Sequence, residues 1–98
     1  MSPDIVKNLI RKGQNDSVFF IECPLNTSDL QPYTNRILDA QPGYLLIGVK
    51  DSGTVVGLKR SEEKLKVIAT EAVQNTNLTF HIVKLVADFK VIVITNKT

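Results

Sequence analysis

Apolar positions recur along this chain with two different periods, and the switches between them mark out its elements. Ile5, Val6, Leu9 and Ile10 repeat at three-to-four-residue spacing behind Ser2-Pro3-Asp4, which predicts a helix entered through proline and an acid and closed by Gly13. Gln14 to Ser17 is polar and reads as a loop. Val18-Phe19-Phe20-Ile21 is a short β-rich run, and Pro24 cannot continue a central ladder, so Glu22 falls at a strand end. A second helix is expected from about Ser28, with Asp29 and Pro32 in its first turn and Leu30, Tyr33, Ile37 and Leu38 on its buried face, ending near Ala40.

Pro42-Gly43 then leads into Tyr44 to Val49, whose unbroken apolar character is that of a strand covered on both faces. Asp51-Ser52-Gly53 offers the φ > 0 position of a tight turn, and Thr54 to Leu58 reads as an antiparallel return strand. Ser61 is placed to cap a third helix reaching about Val73, with Glu62 and Glu63 at its start and Leu65, Ile68, Ala69, Ala72 and Val73 as its apolar stripe. After the polar break Gln74 to Asn77, Thr79 to Val86 and Phe89 to Thr95 form a last strand pair around Ala87-Asp88. The order α-β-α-β-β-α-β-β predicts one α+β domain over residues 1–98, with a single mixed, mainly antiparallel sheet covered by helices.

Size and charge add two constraints. A chain of 98 residues buries roughly two thirds of its unfolded surface, so pairing with a partner would add useful burial. The formal charge of +2 is too small to announce a nucleic-acid binder, but residues 1–49 hold four basic and five acidic side chains, against eight and five in residues 50–98. The second half is therefore the expected anion-facing half. One cysteine, Cys23, excludes an intrachain disulfide, and the chain shows no apolar run of signal-peptide or transmembrane length. An intracellular setting, cytoplasmic or nuclear, is the expectation.

The stretch YLLIGVKDSGTVVGL, Tyr44 to Leu58, carries the best family signature. Gly43, the strand Tyr44-Leu45-Leu46-Ile47, Gly48-Val49, Asp51, Gly53 and Val56-Gly57-Leu58 follow one another in the order seen in Schlafen AlbA-like domains, which this chain resembles. More weakly, Val18 to Glu22, Leu30 to Ala40 and Val91 to Thr95 extend the likeness to the family's first strand, its following helix and its last strand. The resemblance implies a nucleic-acid-processing domain, and in the Schlafen nuclease lobes it implies a three-carboxylate site that holds a divalent metal.

No HExxH, CxxC, nucleophile elbow, P-loop or dinucleotide fingerprint occurs. Metal-dependent phosphodiester cleavage needs none of these, since two or three carboxylates converging on Mg²⁺ or Mn²⁺ suffice. Carried over from the resemblance, Glu22 matches one family glutamate and Asp51 is the available aspartate, so both are candidate catalytic residues and metal ligands. The family's other glutamate falls on Ser17, with Asp16 one residue away as a candidate third carboxylate. Cys23-Pro24 and Pro42 also depart from the family pattern. Each acid has an ordinary reading as well, Glu22 as a solvated strand end and Asp51 as a turn former.

Lys50, Lys59, Arg60, Lys64 and Lys66 are the candidate nucleic-acid contacts, grouped near a helix N-terminus where charge and backbone N–H groups could hold phosphate. A solvated helix face accounts for them as well. Arg11 and Lys12 complement a helix C-terminus. Tyr44 is expected in the core or an interface rather than stacked on a base, and His81 is expected to be structural. The resulting expectation is an RNA-processing domain, a subunit of a metal-dependent endoribonuclease completed by another Schlafen-like lobe in a homo- or heterodimer. The alternatives are a noncatalytic binding or assembly module, or a DNA-binding accessory domain of a transcriptional regulator.

Overall fold

The computed structural model describes residues 1–22, 30–40, 42–59, 61–85 and 89–96. Its elements run α1 (Pro3–Lys12), β1 (Val18–Ile21), α2 (Gln31–Asp39), β2 (Tyr44–Ile47), α3 (Glu62–Val73), β3 (Thr79–Lys84) and β4 (Lys90–Thr95). The strands form one mixed sheet in the order β1-β2-β4-β3. β1 and β2 are parallel, with Val18 opposite Tyr44 and Ile21 opposite Ile47. β4 is antiparallel to both of its neighbours, pairing Tyr44 with Thr95 and Lys84 with Lys90. The α+β class and the mixed, mainly antiparallel sheet are as the pattern predicts.

Each helix start has a local cause. The Ser2 hydroxyl accepts from the Ile5 N–H at 3.4 Å and Pro3 opens α1, while the Gly13 N–H donates to the Ile10 carbonyl at its end. Ser61 caps α3 by accepting from the Lys64 N–H, with Glu62 and Glu63 in the first turn. For α2 the expected start at Ser28 lies outside the described residues; within them Leu30 stands at the N-cap position and Pro32 sits in the first turn, as expected.

Alternate side chains of the two central strands enter opposite cores. Tyr44 and Leu46 of β2, with Val91 and Val93 of β4, pack with Val6 of α1. Leu45, Ile47, Ile92 and Ile94 pack on the other face with Leu30 and Ile37 of α2 and Leu65 and Ala69 of α3. Helices thus cover both faces, which is why β2 and β4 read as continuous apolar runs rather than alternating ones. Tyr44 is a core residue, as expected.

Two sequence expectations are corrected. Thr54 to Leu58 is not a strand, and the order loses one β element; only Val55 forms an isolated bridge, to Val49. Both edges of β2 are occupied by β1 and β4, so the returning segment can pair only beyond the strand's end. Leu38 is 40% exposed, although it was expected on a buried face, and Ile5, part of the apolar spacing of the first helix, is 48% exposed. α1 buries Val6 and turns Ile5 to its flank, while Leu38 lines an open groove of about 370 Å³ between α2 and α3, together with Thr34, Asn35 and Glu71. Among the described residues no helix is long and apolar enough to cross a membrane.

Candidate functional site

Of the residues singled out by the sequence, Glu22, Lys50, Asp51 and Lys59 lie at one end of the sheet. β1 and β2 finish there, β3 finishes there, and β4 begins there. At the exit of β2 the N–H groups of Gly48 and Val49 both donate to the Ile21 carbonyl, at 2.8 and 3.3 Å, which holds the chain beside the end of β1. Lys50 to Gly53 then closes a tight turn: the Gly53 N–H donates to the Lys50 carbonyl at 2.8 Å, and the Lys50 N–H donates to the Thr54 carbonyl at 2.9 Å. Gly53 has φ 91°, a conformation that disfavours any side chain, so the glycine is set by the turn itself.

The return leg curls back on itself. Val56 and Gly57 both donate to the Gly48 carbonyl, and the Leu58 N–H donates to the Lys90 carbonyl at 2.8 Å. Lys59 is thereby delivered next to the start of β4. Gly53 also lies against Ile10, so the last turn of α1, which carries Arg11 and Lys12, adjoins the Asp51–Gly53 turn.

Asp51 is exposed at the turn, and its carboxylate accepts a hydrogen bond from the Gln14 side-chain amide at 3.3 Å. The Gln14 side-chain oxygen in turn accepts from the Phe20 N–H at 3.0 Å. Asp51 is thus tied to β1 through an amide that spans the α1–β1 loop. Glu22 is exposed and directly follows β1, at the same end of the sheet as the turn. Asp16 is exposed as well but precedes β1, so the length of the strand separates it from Glu22. Its loop is shaped by Asn15, whose side-chain oxygen accepts from the N–H groups of Ser17 and Val18 at 2.7 and 3.1 Å.

Among the described residues no three histidine, cysteine, aspartate or glutamate side chains gather to hold a metal ion. Asp16, Glu22 and Asp51 are thus not gathered into one such group.

The basic candidates divide. Lys50 and Lys59 are exposed at the sheet end, and Arg60 lies outside the described residues. Lys64 and Lys66 are exposed on α3, but two residues along a helix turn through about 200°, so they occupy different flanks. Glu62 and Glu63 in the first turn and the Ser61 cap already complement the positive end of α3. Register adds Lys84 and Lys90, an opposed pair that closes the β3–β4 ladder at this same end. Sequence reading did not single them out; their signal was the excess of basic residues in the second half of the chain.

The polar run from Gln14 predicts only a loop, although Gln14 and Asn15 bind the β1 edge. Asn96 was not singled out, yet its side-chain amide donates to the Ile37 and Ala40 carbonyls and its oxygen accepts from the Gly43 N–H at 2.7 Å. Thr95 adds a hydroxyl bond to the Gly43 carbonyl at 2.7 Å. These bonds fix the end of α2 to the start of β2. No protein-family model and no curated protein matches the chain. Fold and site together define a small α+β domain with an exposed, lysine-rich sheet end.

Proposed function

We propose that the chain is the nucleic-acid-facing lobe of a Schlafen-like RNA-processing assembly, with a partner lobe completing the cleavage machinery. One observation carries this reading: strand register delivers Lys50, Lys59, Lys84 and Lys90, far apart in sequence, to one end of the sheet. Phosphate backbones are bound through such clusters, because each neutralised phosphate releases a condensed counterion. The scattered carboxylates favour partner dependence over autonomous catalysis. Glu22 and Asp51 stand at the same end, where they are available to a site that another lobe completes.

The test is salt-dependent binding of labelled single-stranded RNA by the chain and by its Lys50→Ala/Lys59→Ala/Lys90→Ala variant. The variant is expected to bind more weakly, with the slope of log K against log salt reduced by about 2. Identical slopes would refute the lysine-rich end as the binding surface. In parallel, the isolated chain is expected to leave RNA intact in Mn²⁺ or Mg²⁺. Cutting at a concentration where the chain is monomeric, lost in Glu22→Ala, would refute dependence on another lobe.

A further inference from the structure

The two edges of the sheet are built differently. At the β1 edge the Phe20 N–H is bound by the Gln14 side chain, the Val18 N–H by the Asn15 side chain, and the Val18 carbonyl by the Asn15 N–H. Two side-chain amides and one backbone group occupy the positions that a neighbouring strand would use. That edge is closed to strand addition.

At the β3 edge the corresponding groups have no neighbouring strand among the described residues. The Lys90 carbonyl accepts from Leu58, on the side of β4 away from β3, and the Leu85 N–H donates to the Phe89 carbonyl. With Thr79 opposite Thr95 and Val83 opposite Val91, odd-numbered residues of β3 exchange bonds with β4. The N–H and C=O groups of Phe80, Ile82 and Lys84 therefore point outward. Among the described residues none of these outward groups has a backbone partner. The strand has no proline, glycine or bulge, and its six-residue register is unbroken. Phe80 and Ile82 are only partly buried.

We propose that the β3 edge binds a second copy of this chain by antiparallel strand addition, joining two four-stranded sheets into one across a two-fold axis at Ile82. This register is the one that sets all three outward residues against one another: Ile82 meets Ile82, and Phe80 meets Lys84 of the second copy. Charge favours it. The two Lys84 residues lie four positions apart along the paired strands, about 13 Å, which exceeds the ~8 Å screening length at physiological salt. Each lysine stem covers a phenylalanine ring, a contact favourable to both apolar stem and ammonium. Shifting the axis to Val83 would halve the lysine separation, and shifting it to His81 would leave Lys84 outside the matched set. On the α2–α3 side Phe80 and Ile82 continue their apolar row into the second copy. The contact is isologous, so it closes as a dimer and does not propagate.

The proposal deepens the reading of the chain as a partner-dependent lobe and rests on it for its biological role. A strand-edge contact of this length buries less than the ~1,200 Å² of a stable interface, so the expected dissociation constant is micromolar. Sedimentation equilibrium up to about 0.5 mM, a concentration well above such a constant, should show a monomer–dimer equilibrium. Ile82→Pro removes an outward N–H at the axis without removing a β3–β4 bond and should weaken the dimer at least about tenfold. Because that variant could fail to fold, Ile82→Cys in a Cys23→Ser background supplies a second measurement. It should oxidise to a covalent dimer, whereas Leu38→Cys in the same background should not.

A chain that remains monomeric throughout, or crosslinking at position 38 in preference to 82, overturns the proposal. RNA binding through Lys50, Lys59 and Lys90 is scored separately, so loss of the dimer and loss of the nucleic-acid reading are distinguishable. Pairing of β3 with a strand of a different protein would appear as a monomer in this experiment and would also overturn self-pairing.

Discussion

Gln14 and Asp51 are joined by a side-chain hydrogen bond of 3.3 Å across 37 positions of sequence. Because the same glutamine accepts from the Phe20 N–H, the turn that carries Lys50 and Asp51 is referenced to β1 rather than left free. Gln14→Ala should cost about 1 kcal/mol, the net worth of such a bond at a partly buried strand-edge N–H. Gln14→Glu keeps the acceptor for Phe20 but sets a carboxylate against Asp51. Urea denaturation should place the alanine variant at or below the glutamate variant at low pH, with the order reversed or levelled near neutrality; pH-independent ranking would show that the Asp51 contact contributes nothing.

The α2–β2 junction should be a point of high sensitivity. Asn96→Ala removes the acceptor for the Gly43 N–H and the donor to the Ile37 and Ala40 carbonyls, all partly buried. A loss of about 2 kcal/mol is expected, with a melting-temperature drop of roughly 10 °C for a domain of this size. Asn96→Asp retains the acceptor but turns a carboxylate toward two carbonyls, and should not restore stability. A melting temperature within a degree of the parent in either variant would contradict the role assigned to Asn96.

Gly43→Ala tests the same junction sterically. A Cβ at Gly43 would lie 2.7 Å from the Ile37 carbonyl oxygen and 2.9 Å from its Cβ, so either the end of α2 or the start of β2 must shift. Overpacking of this kind costs about 1–3 kcal/mol. Gly53→Ala has no such neighbour, its nearest atoms being 3.7 Å away, and is strained only through its φ of 91°. Chemical shifts should therefore change at α2 and β2 in the first variant and remain local to the turn in the second.

His81 gives a pH signature. Burial, and then the nearby N-terminal amino group, lower its imidazole below the ordinary 6.5. The folded chain resists protonation there while the unfolded chain accepts it at 6.5. Below that pH the unfolded state binds more protons, so this residue makes stability fall as pH drops through 6.5, the loss levelling off below the folded-state value. Above that window it contributes no pH dependence. His81→Gln should flatten the difference in urea midpoint between pH 7.5 and pH 5.5; an unchanged difference would locate the dependence elsewhere.

Much of the architecture was legible because it is local. Ser2-Pro3, Gly13 and Ser61 start or stop helices through bonds to residues three or four positions away, and those boundaries match. The apolar run Tyr44 to Val49 announced a strand covered on both faces and Phe89 to Thr95 announced a strand, and both are central. Asp51-Ser52-Gly53 announced its turn. The return strand from Thr54 failed for a non-local reason, since β1 and β4 already held both edges of β2.

What the sequence determined by itself, then, was which segments are helix or strand apart from Thr54 to Leu58, where most of them begin, and that the sheet is mixed and sheltered. Tertiary structure alone decided that β4 lies between β2 and β3, that Lys84 and Lys90 join Lys50 and Lys59 at one end, that Asp16 stands apart from Glu22, and that Gln14 closes one edge while β3 ends the sheet at the other among the described residues. The physical reason is the range of the interactions. Periodicity and caps act between residues a few positions apart, whereas strand order and register are settled by competition among all segments for the same backbone hydrogen bonds and the same buried faces.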